Sequence, residues 1–270
     1  MNPVEITRGD SPVVLAFPHT GTDLPEYVRQ QLTARGKTLE DTDWHVDRLY
    51  AGLLPQATTV RATFHRYAID ANRDPSGKSL YPGQNTTTLV PLTDFNGEDL
   101  WISPPTEEEI EERRLSFHAP YHAALAAELE RVHQLHGIAI LYDCHSIRSG
   151  IPYLFEGVLP DFSIGSNLGN TCAAEIEQTV ERICREDTHF TTVVNGRFKG
   201  GWTTRHYGQP DQGIHAIQME LTQSAYLQTE SAPFLYSTDK AENLRVTLKK
   251  VLEALEAQAF SIRTTKGSRT

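Results

Sequence analysis

Three short polar stretches, far apart in the chain, carry side chains suited to metal-assisted hydrolysis. They are residues 18–21 (Pro-His-Thr-Gly), residues 70–73 (Asp-Ala-Asn-Arg) and residues 143–146 (Asp-Cys-His-Ser), and each follows a segment with the pattern of a buried strand. A later strand pattern ends in Glu220. Two imidazoles, an Asn-Arg pair and nearby carboxylates are the parts of a zinc hydrolase.

His19 and His145 are the best nitrogen ligands for such a metal, because both follow apolar strand patterns at equivalent places. A catalytic zinc keeps three protein ligands and leaves its fourth position to water, whose pKa the ion lowers. Each histidine alone could instead cap a strand end through its ring nitrogens, but the pairing favours the metal. Zinc is therefore the predicted cofactor, although the same ligands also accept iron, cobalt or nickel.

A carboxylate is expected as the third ligand, and the acidic start of a predicted helix offers Asp41, Asp43 and Asp47. Asp43 is our choice, with Asp47 kept open and His45 as a competitor. The alternative interpretation is that acidic residues in a first helical turn complement the helix dipole.

Glu220 is predicted to take the proton of the attacking water and to return it to the leaving amine. An unpaired Glu at the end of a strand as apolar as residues 217–219 would be costly to bury, so it is either paired or catalytic. We favour the catalytic interpretation.

Further polar side chains in or beside the same loops suit a carboxylated small-molecule substrate: Arg66, Asn72, Arg73, Arg148 and Arg205. A planar guanidinium binds a carboxylate through two parallel hydrogen bonds, and an arginine near the metal can stabilise an oxyanion. Some of these arginines are alternatively expected to form structural ion pairs with Asp70, Asp74 or Asp143.

The composition excludes several classes of protein. A formal net charge of −10, with no basic run before residues 263–266, argues against binding of nucleic acid. No stretch approaches the roughly 20 apolar residues that span a membrane, and residues 1–10 lack the pattern of a secretory signal.

The cysteines form no Cys-x-x-Cys pattern, so a cytoplasmic protein is predicted. Cys144 could be a nucleophile, but a packing role is favoured. The oligomeric state stays open.

Alternating strand and helix patterns predict one α/β domain over residues 1–270, with a mixed, mostly parallel sheet and helices on both faces. Ligands of such folds gather outside the carboxyl ends of the strands. The predicted strands are residues 13–17, 58–64, 138–142, 190–194 and 215–220, and the predicted helices are residues 41–54, 106–136, 171–185 and 238–258.

Three local features complete this pattern. Pro120 is expected to kink or break the helix at residues 106–136. Residues 72–105, rich in Gly, Pro, Asn and Thr, are predicted to form a long loop that helps to shape the substrate pocket. Residues 200–205 (Gly-Gly-Trp-Thr-Thr-Arg) are expected to form a loop that brings Arg205 to the same place.

Several motifs, each weak alone, are specific as a set and run over nearly the whole chain. They are residues 17–21 (Phe-Pro-His-Thr-Gly), 41–50 (Asp-Thr-Asp-Trp-His-Val-Asp-Arg-Leu-Tyr), 66–67 (Arg-Tyr), 70–77 (Asp-Ala-Asn-Arg-Asp-Pro-Ser-Gly), 81–84 (Tyr-Pro-Gly-Gln), 120–123 (Pro-Tyr-His-Ala), 143–146 and 219–222 (Met-Glu-Leu-Thr). Together they resemble the N-formylglutamate amidohydrolase family, the deformylases that end one route of histidine degradation, within the wider zinc carboxypeptidase and aspartoacylase group.

The resemblance implies a carboxypeptidase-like α/β fold, of the phosphorylase/hydrolase-like kind, with zinc at the positions of His19, an early carboxylate and His145. The wider group usually supplies a Glu three residues after its first His. This chain has Thr22 at that place, so the carboxylate must come from elsewhere, and Asp43 and Asp47 stay open.

The resemblance also implies roles around the metal. Arg66 would polarise the scissile carbonyl, Asn72 and Arg73 would grip the substrate carboxylate, and Glu220 matches the general base. The expected reaction is attack of zinc-activated water on the formyl carbonyl of N-formyl-L-glutamate, which gives formate and L-glutamate. Arg205 or Arg148 is expected to bind the second carboxylate of this substrate.

Two alternative functions remain open from the sequence. A related zinc amidohydrolase could act on another N-acyl amino acid or on a carboxyl-terminal peptide bond. A non-catalytic protein could use the arginines to bind an anionic metabolite, with the histidines in structural roles.

Overall fold

Seven strands form one mixed sheet in the computed structural model, which describes residues 1–78 and 86–267. The strands are β1 (Val4–Thr7), β2 (Val13–Phe17), β3 (Thr58–Ala62), β4 (Ala139–Ile147), β5 (Phe162–Gly165), β6 (Thr192–Val194) and β7 (Ile214–Thr222). Their order across the sheet is β1-β3-β2-β4-β7-β5-β6. Only the β1–β3 and β5–β7 pairs are antiparallel among these strands, so the predicted mixed, mostly parallel sheet is confirmed.

Helices cover both faces of this sheet, as predicted. They are α1 (Glu26–Gln31), α2 (Val46–Tyr50), α3 (Glu107–Arg113), α4 (Ala119–His136), α5 (Ala174–Glu186), α6 (Trp202–Tyr207) and α7 (Thr238–Gly267). Apolar residues of α2, α5 and α7 pack on one face, and those of α1 and α4 pack on the other. Among the helices of the described residues, none is both long enough and apolar enough to cross a bilayer.

The central strands β4 and β7 extend further than predicted, to Ile147 and Thr222. The prediction that Asp143 and His145 lie in a loop was wrong. They are strand residues whose side chains share one face, while Cys144 between them packs into the core on the other face. Strand β4 therefore continues beyond its fully apolar part, and its alternating residues place Asp143 and His145 together on one face of the sheet.

The predicted helix at residues 41–54 was wrong at both ends, since only α2 is helical there. His45 has a positive φ of 61°, a left-handed conformation that a helix cannot contain. The backbone N–H of Asp43 instead donates to the carbonyl of His19, 3.0 Å away. The acidic segment is thus a loop tied to the carboxyl end of β2, and the helix-dipole interpretation does not apply to Asp43.

Pro120 neither breaks nor ends the long helix. A π-helical turn at Arg114–His118 joins α3 to α4, and the N–H of Ala119 donates to the carbonyl of Arg114 five residues earlier. The wider turn lets the chain continue past a proline that has no N–H to donate.

Other boundaries differ by a few residues from those predicted. Strand 58–64 ends at Ala62, helix 171–185 begins at Ala174, strand 190–194 begins at Thr192, and the closing helix continues to Gly267. The expected loop at residues 200–205 is helical over its last four residues, because α6 begins at Trp202. The described part of residues 72–105 contains no helix or extended strand, as predicted, while residues 79–85, with the 81–84 motif, lie outside the described residues.

The packing of α7 gives a test of the fold. Leu248 is fully buried in the core, whereas Val246 on the same helix is 55% exposed. We expect Leu248→Ala to lower the free energy of unfolding by about 2–5 kcal/mol, because it removes buried apolar contacts and leaves a cavity. The matched control Val246→Ala should change it by about 0.5 kcal/mol or less. Urea denaturation measures both, and equal effects would contradict this packing.

Candidate active site

The predicted functional residues meet at the carboxyl edge of four parallel strands. His19 follows β2, Asp70 follows β3, and His145 and Glu220 lie near the ends of β4 and β7. These strands are neighbours and run in the same direction, so their carboxyl ends lie together. A cavity of about 410 Å³ opens there. Residues of the long loop, including Asp74 and residues 86–89, line it as predicted.

A cluster of two imidazoles and one carboxylate lies at this cavity. One ligand atom each from His19, Asp43 and His145 falls within 4.8 Å of the others. Asp43 Oδ2 is 3.2 Å from Nδ1 of His145 and 3.7 Å from Nδ1 of His19. All three residues are buried, and all line the cavity. This cluster can hold a metal ion through the two Nδ1 atoms and one carboxylate oxygen.

The outer nitrogen of each imidazole faces a second carboxylate. His19 Nε2 donates to Asp70 Oδ1 at 2.7 Å, and His145 Nε2 lies 3.1 Å from Asp143 Oδ1. Metal-ligating histidines commonly have such a partner, which fixes the ring and raises its basicity. Both Nδ1 atoms are thereby turned towards Asp43.

The charges of the site also fit a cation. Asp43, Asp70 and Asp143 are buried, and the buried guanidinium of Arg66 lies 2.6 Å from Asp70 and 3.9 Å from Asp43. Burial alone would raise the pKa of Asp43, but the His19 and His145 rings hold that pKa below its usual range. Buried carboxylates in excess of buried cations are costly. A divalent cation among them would balance this charge, so the donor set fits a metal.

Asp43 is the one candidate carboxylate that reaches the histidines. Its Oδ2 also accepts a hydrogen bond from the N–H of Ser146, 3.1 Å away, which fixes the carboxylate between β2 and β4. The other candidates make contacts elsewhere: Asp41 with the N–H of Phe95, Asp47 with the N–H of Arg48, and His45 with the carbonyl of Phe234.

Glu220 lies beside this cluster, because it pairs in register with His145 across β4 and β7. Its Oε2 accepts from Gln218 Nε2 at 3.0 Å, and Gln218 Oε1 accepts from the N–H of Gly201 at 2.7 Å. Burial raises the pKa of Glu220 to about 8. Both Gln218 and Glu220 line the cavity, and the sequence analysis missed Gln218 although it alternates with Met219 as Glu220 does.

Arg66 forms an ion pair and also lines the cavity. Its Nη2 donates to Asp70 Oδ2 at 2.6 Å, so the structural ion pair considered from the sequence is present. Its Nη1 lies 3.9 Å from Asp43, and the guanidinium packs over the ring of Phe95. The same side chain lines the cavity next to the histidines.

Asn72 and Arg73 also face the cavity, on the side of β3. Asn72 Oδ1 accepts from the N–H of Thr203 at 2.9 Å, and its Nδ2 lies 3.1 Å from His145 Nε2. Gly201 must lack a side chain, because a Cβ there would lie 2.2 Å from Asn72 Nδ2. Arg73 Nε donates to the carbonyl of Thr87 at 3.0 Å.

The arginines predicted for the second carboxylate lie elsewhere. Arg148 donates to Asn96 Oδ1 at 3.2 Å and lies 3.8 Å from Asp41, while Arg205 Nε donates to the carbonyl of Gly200 at 2.9 Å. Neither is among the described residues that line the cavity.

Two other cations, Arg197 and Lys78, do line the cavity. Arg197 was not predicted from the sequence. Its one signal there is its position, three residues before the Gly200–Gly201 pair. Phe95, Ile147, Leu154 and Phe198 form an apolar wall of the same cavity.

Cys144 has the packing role favoured from the sequence. It is buried in the core between the sheet and its helices, and burial holds the pKa of its thiol well above its usual range. It is not among the described lining residues.

Comparisons with known proteins place the chain in a family. The family model described as N-formylglutamate amidohydrolase matches residues 11–227. The N-formylglutamate deformylase of Pseudomonas putida is 43% identical over 253 residues, which is 93% of this chain and 94% of that protein. The N-formylglutamate deformylase of Pseudomonas aeruginosa is 43% identical over 256 residues, again 93% and 94% of the two chains.

Two solved structures share the fold. The N-formylglutamate amidohydrolase from Ralstonia eutropha JMP134 is 24% identical with a TM-score of 0.78, and the match covers 98% of this chain and 100% of that chain. The gene product Atu2144 from Agrobacterium tumefaciens is 16% identical with a TM-score of 0.71, over 98% and 97%. The family resemblance drawn from the motifs is confirmed, and this chain belongs to the N-formylglutamate amidohydrolase family.

Proposed function

We propose that this protein hydrolyses the formamide bond of N-formyl-L-glutamate to L-glutamate and formate. The observation that carries the proposal is the cluster of His19, Asp43 and His145 in a cavity that also presents Arg66 and Glu220. The names of the two Pseudomonas relatives, at 43% identity over 93% of this chain, support the choice of substrate.

His19, Asp43 and His145 would hold a divalent transition metal, and zinc is the metal we propose. When bound, such an ion acts as a Lewis acid that polarises a carbonyl oxygen and lowers the pKa of water. Asp70 accepts a hydrogen bond from the outer ring nitrogen of His19, and Asp143 lies 3.1 Å from the outer ring nitrogen of His145, so both Nδ1 atoms face the place of the ion.

Glu220 moves the proton in this reaction. In its ionised form, the carboxylate accepts a proton from the attacking water as the new carbon–oxygen bond forms. It then delivers that proton to the amine nitrogen as the carbon–nitrogen bond breaks, which yields formate and glutamate. Its register position opposite His145 and its hydrogen bond from Gln218 place the carboxylate beside the ligand cluster.

The cations of the cavity bind and polarise the substrate. Arg66 faces the oxygen that becomes negatively charged, because it is the guanidinium held nearest to Asp43. Asn72 and Arg73 bind one substrate carboxylate. We assign the second carboxylate to Arg197, since the cavity is lined by this arginine and by neither Arg148 nor Arg205 among its described residues.

The cellular role follows from the family resemblance. We place this reaction at the end of a histidine degradation route and in the cytoplasm. The three cysteines are all free and buried, which suits a reducing compartment.

Glu220→Gln tests the proton transfer. It keeps the size and the hydrogen bonds of the side chain but cannot carry a proton, so we expect the kcat for N-formylglutamate to fall about 10²–10⁴-fold. Metal content, measured by mass spectrometry, should stay at the wild-type level. Glu175→Gln, at an exposed position on α5, is the control and should retain the wild-type kcat. Near-normal deformylation by Glu220→Gln with full metal content would contradict the mechanism.

Arg197→Gln tests the second carboxylate site. Loss of one charge-assisted hydrogen-bond pair should raise the KM for N-formylglutamate about 10-fold to 100-fold. Steady-state kinetics at several substrate concentrations gives this value. The control is Arg182→Gln, which removes an exposed arginine paired with Glu186 on α5. An unchanged KM in Arg197→Gln would assign the second carboxylate to another cation.

A further inference from the structure

His118 and His122 form hydrogen bonds with the backbone carbonyls on either side of Asn72. His122 Nε2 lies 2.7 Å from the carbonyl oxygen of Ala71, and His118 Nε2 lies 3.0 Å from the carbonyl oxygen of Arg73. Both rings are buried, and neither is among the described residues that line the cavity. Their contact with the site therefore passes through the backbone of residues 71–73.

The hydrogen positions follow from the partners of each ring. A carbonyl oxygen only accepts, so Nε2 carries the ring hydrogen in both histidines. In His122 this leaves Nδ1 as an acceptor, 3.0 Å from the hydroxyl of Tyr207, which also lies 3.1 Å from the backbone carbonyl oxygen of His122. The single hydroxyl hydrogen of Tyr207 has these two acceptors. Burial lowers the pKa of His122 to about 3, which keeps the ring neutral. Tyr207 thus fixes the ring that in turn fixes the carbonyl of Ala71.

The helix is shaped to present both rings to one segment. The π-helical turn ends at His118, and His122 lies four residues further, on the same face. π-helical turns inside α-helices occur often at functional sites. Trp202 packs against both rings, with ring centroids 5.7 Å from His118 and 4.7 Å from His122.

Helix α6 contacts both the two histidines and Asn72. The N–H of Thr203 donates to Asn72 Oδ1, so the side chain of Asn72 is held by α6 while its backbone neighbours are held by the two histidines. A shift of this backbone would move the Asn72 amide away from His145 and would redirect the guanidinium of Arg73.

We propose that His118 and His122 are positioning residues, which hold Asn72 and Arg73 in the orientation that binds the substrate carboxylate. This inference rests on the proposed function of the site. It gives a role to the 120–123 motif, which the metal cluster and the cavity lining leave unexplained.

The test compares two amides at each histidine. The amide nitrogen of Gln reaches the place of Nε2, whereas that of Asn reaches only the place of Nδ1. His118→Gln and His122→Gln therefore keep the hydrogen bond to the backbone carbonyl, and the two Asn variants lose it. All four are polar residues without charge, so their folding should be affected alike. His136→Asn, near the end of the same helix, is the control.

Kinetics with N-formylglutamate gives the main readout. We expect each Asn variant to raise KM about tenfold while kcat stays within about threefold and the metal content is unchanged. Each Gln variant and His136→Asn should keep a KM close to the wild-type value. Tyr207→Phe, which leaves the His122 ring in place but removes its partner, should raise KM by a smaller factor.

Hydrogen exchange of the backbone amides at residues 70–74 gives a readout that does not depend on activity. Exchange should be faster in the Asn variants than in the matching Gln variants. If the wild type does not hydrolyse N-formylglutamate, the proposed function fails, and the exchange data still decide whether the histidines hold this segment. Equal KM and equal exchange in Asn and Gln variants, or a parallel loss of kcat and metal in both, would overturn the proposal.

Discussion

The burial of three carboxylates around two imidazoles at one edge of a sheet is the constraint on which the rest of this site depends. Asp43 faces both Nδ1 atoms, while Asp70 and Asp143 lie behind the rings. Desolvated carboxylates in this number are stable only when positive charge is close to them. The parallel order of β3, β2, β4 and β7 satisfies that constraint, because it brings four separate chain segments to one place.

Asp70 couples the ligand cluster to the substrate-binding side of the cavity. Its carboxylate accepts hydrogen bonds from His19, from Arg66 and from the N–H of Asn72. One fully buried side chain therefore orients a metal ligand, the cation beside it and the start of the carboxylate-binding segment. His118 contacts the same segment, with its Nε2 3.0 Å from the carbonyl oxygen of Arg73.

The fold class and the convergence of His19 and His145 could be predicted from the sequence, because continuous apolar runs shortly before each histidine mark buried parallel strands. The prediction of a loop at residues 143–146 was wrong, because the alternation of polar and apolar residues there was not recognised. Asp143 and His145 lie on one face and Cys144 on the other, which is the period of a strand. The left-handed conformation of His45 could not be predicted from the residue types. Because a helix cannot include it, the helix begins only at Val46 and Asp43 lies in a loop. Arg197 was not predicted, because its position near Gly200 and Gly201 in the sequence does not indicate whether its side chain faces the cavity.

The central claim is that His19, Asp43 and His145 together bind one divalent cation. Anomalous diffraction at the zinc absorption edge, from crystals of the zinc-loaded protein, tests this claim most directly. We predict one strong peak at about 2.0–2.2 Å from Nδ1 of each histidine and from a carboxylate oxygen of Asp43. A peak at another place, or rings turned away from each other and bonded to the main chain with no peak between them, would contradict it.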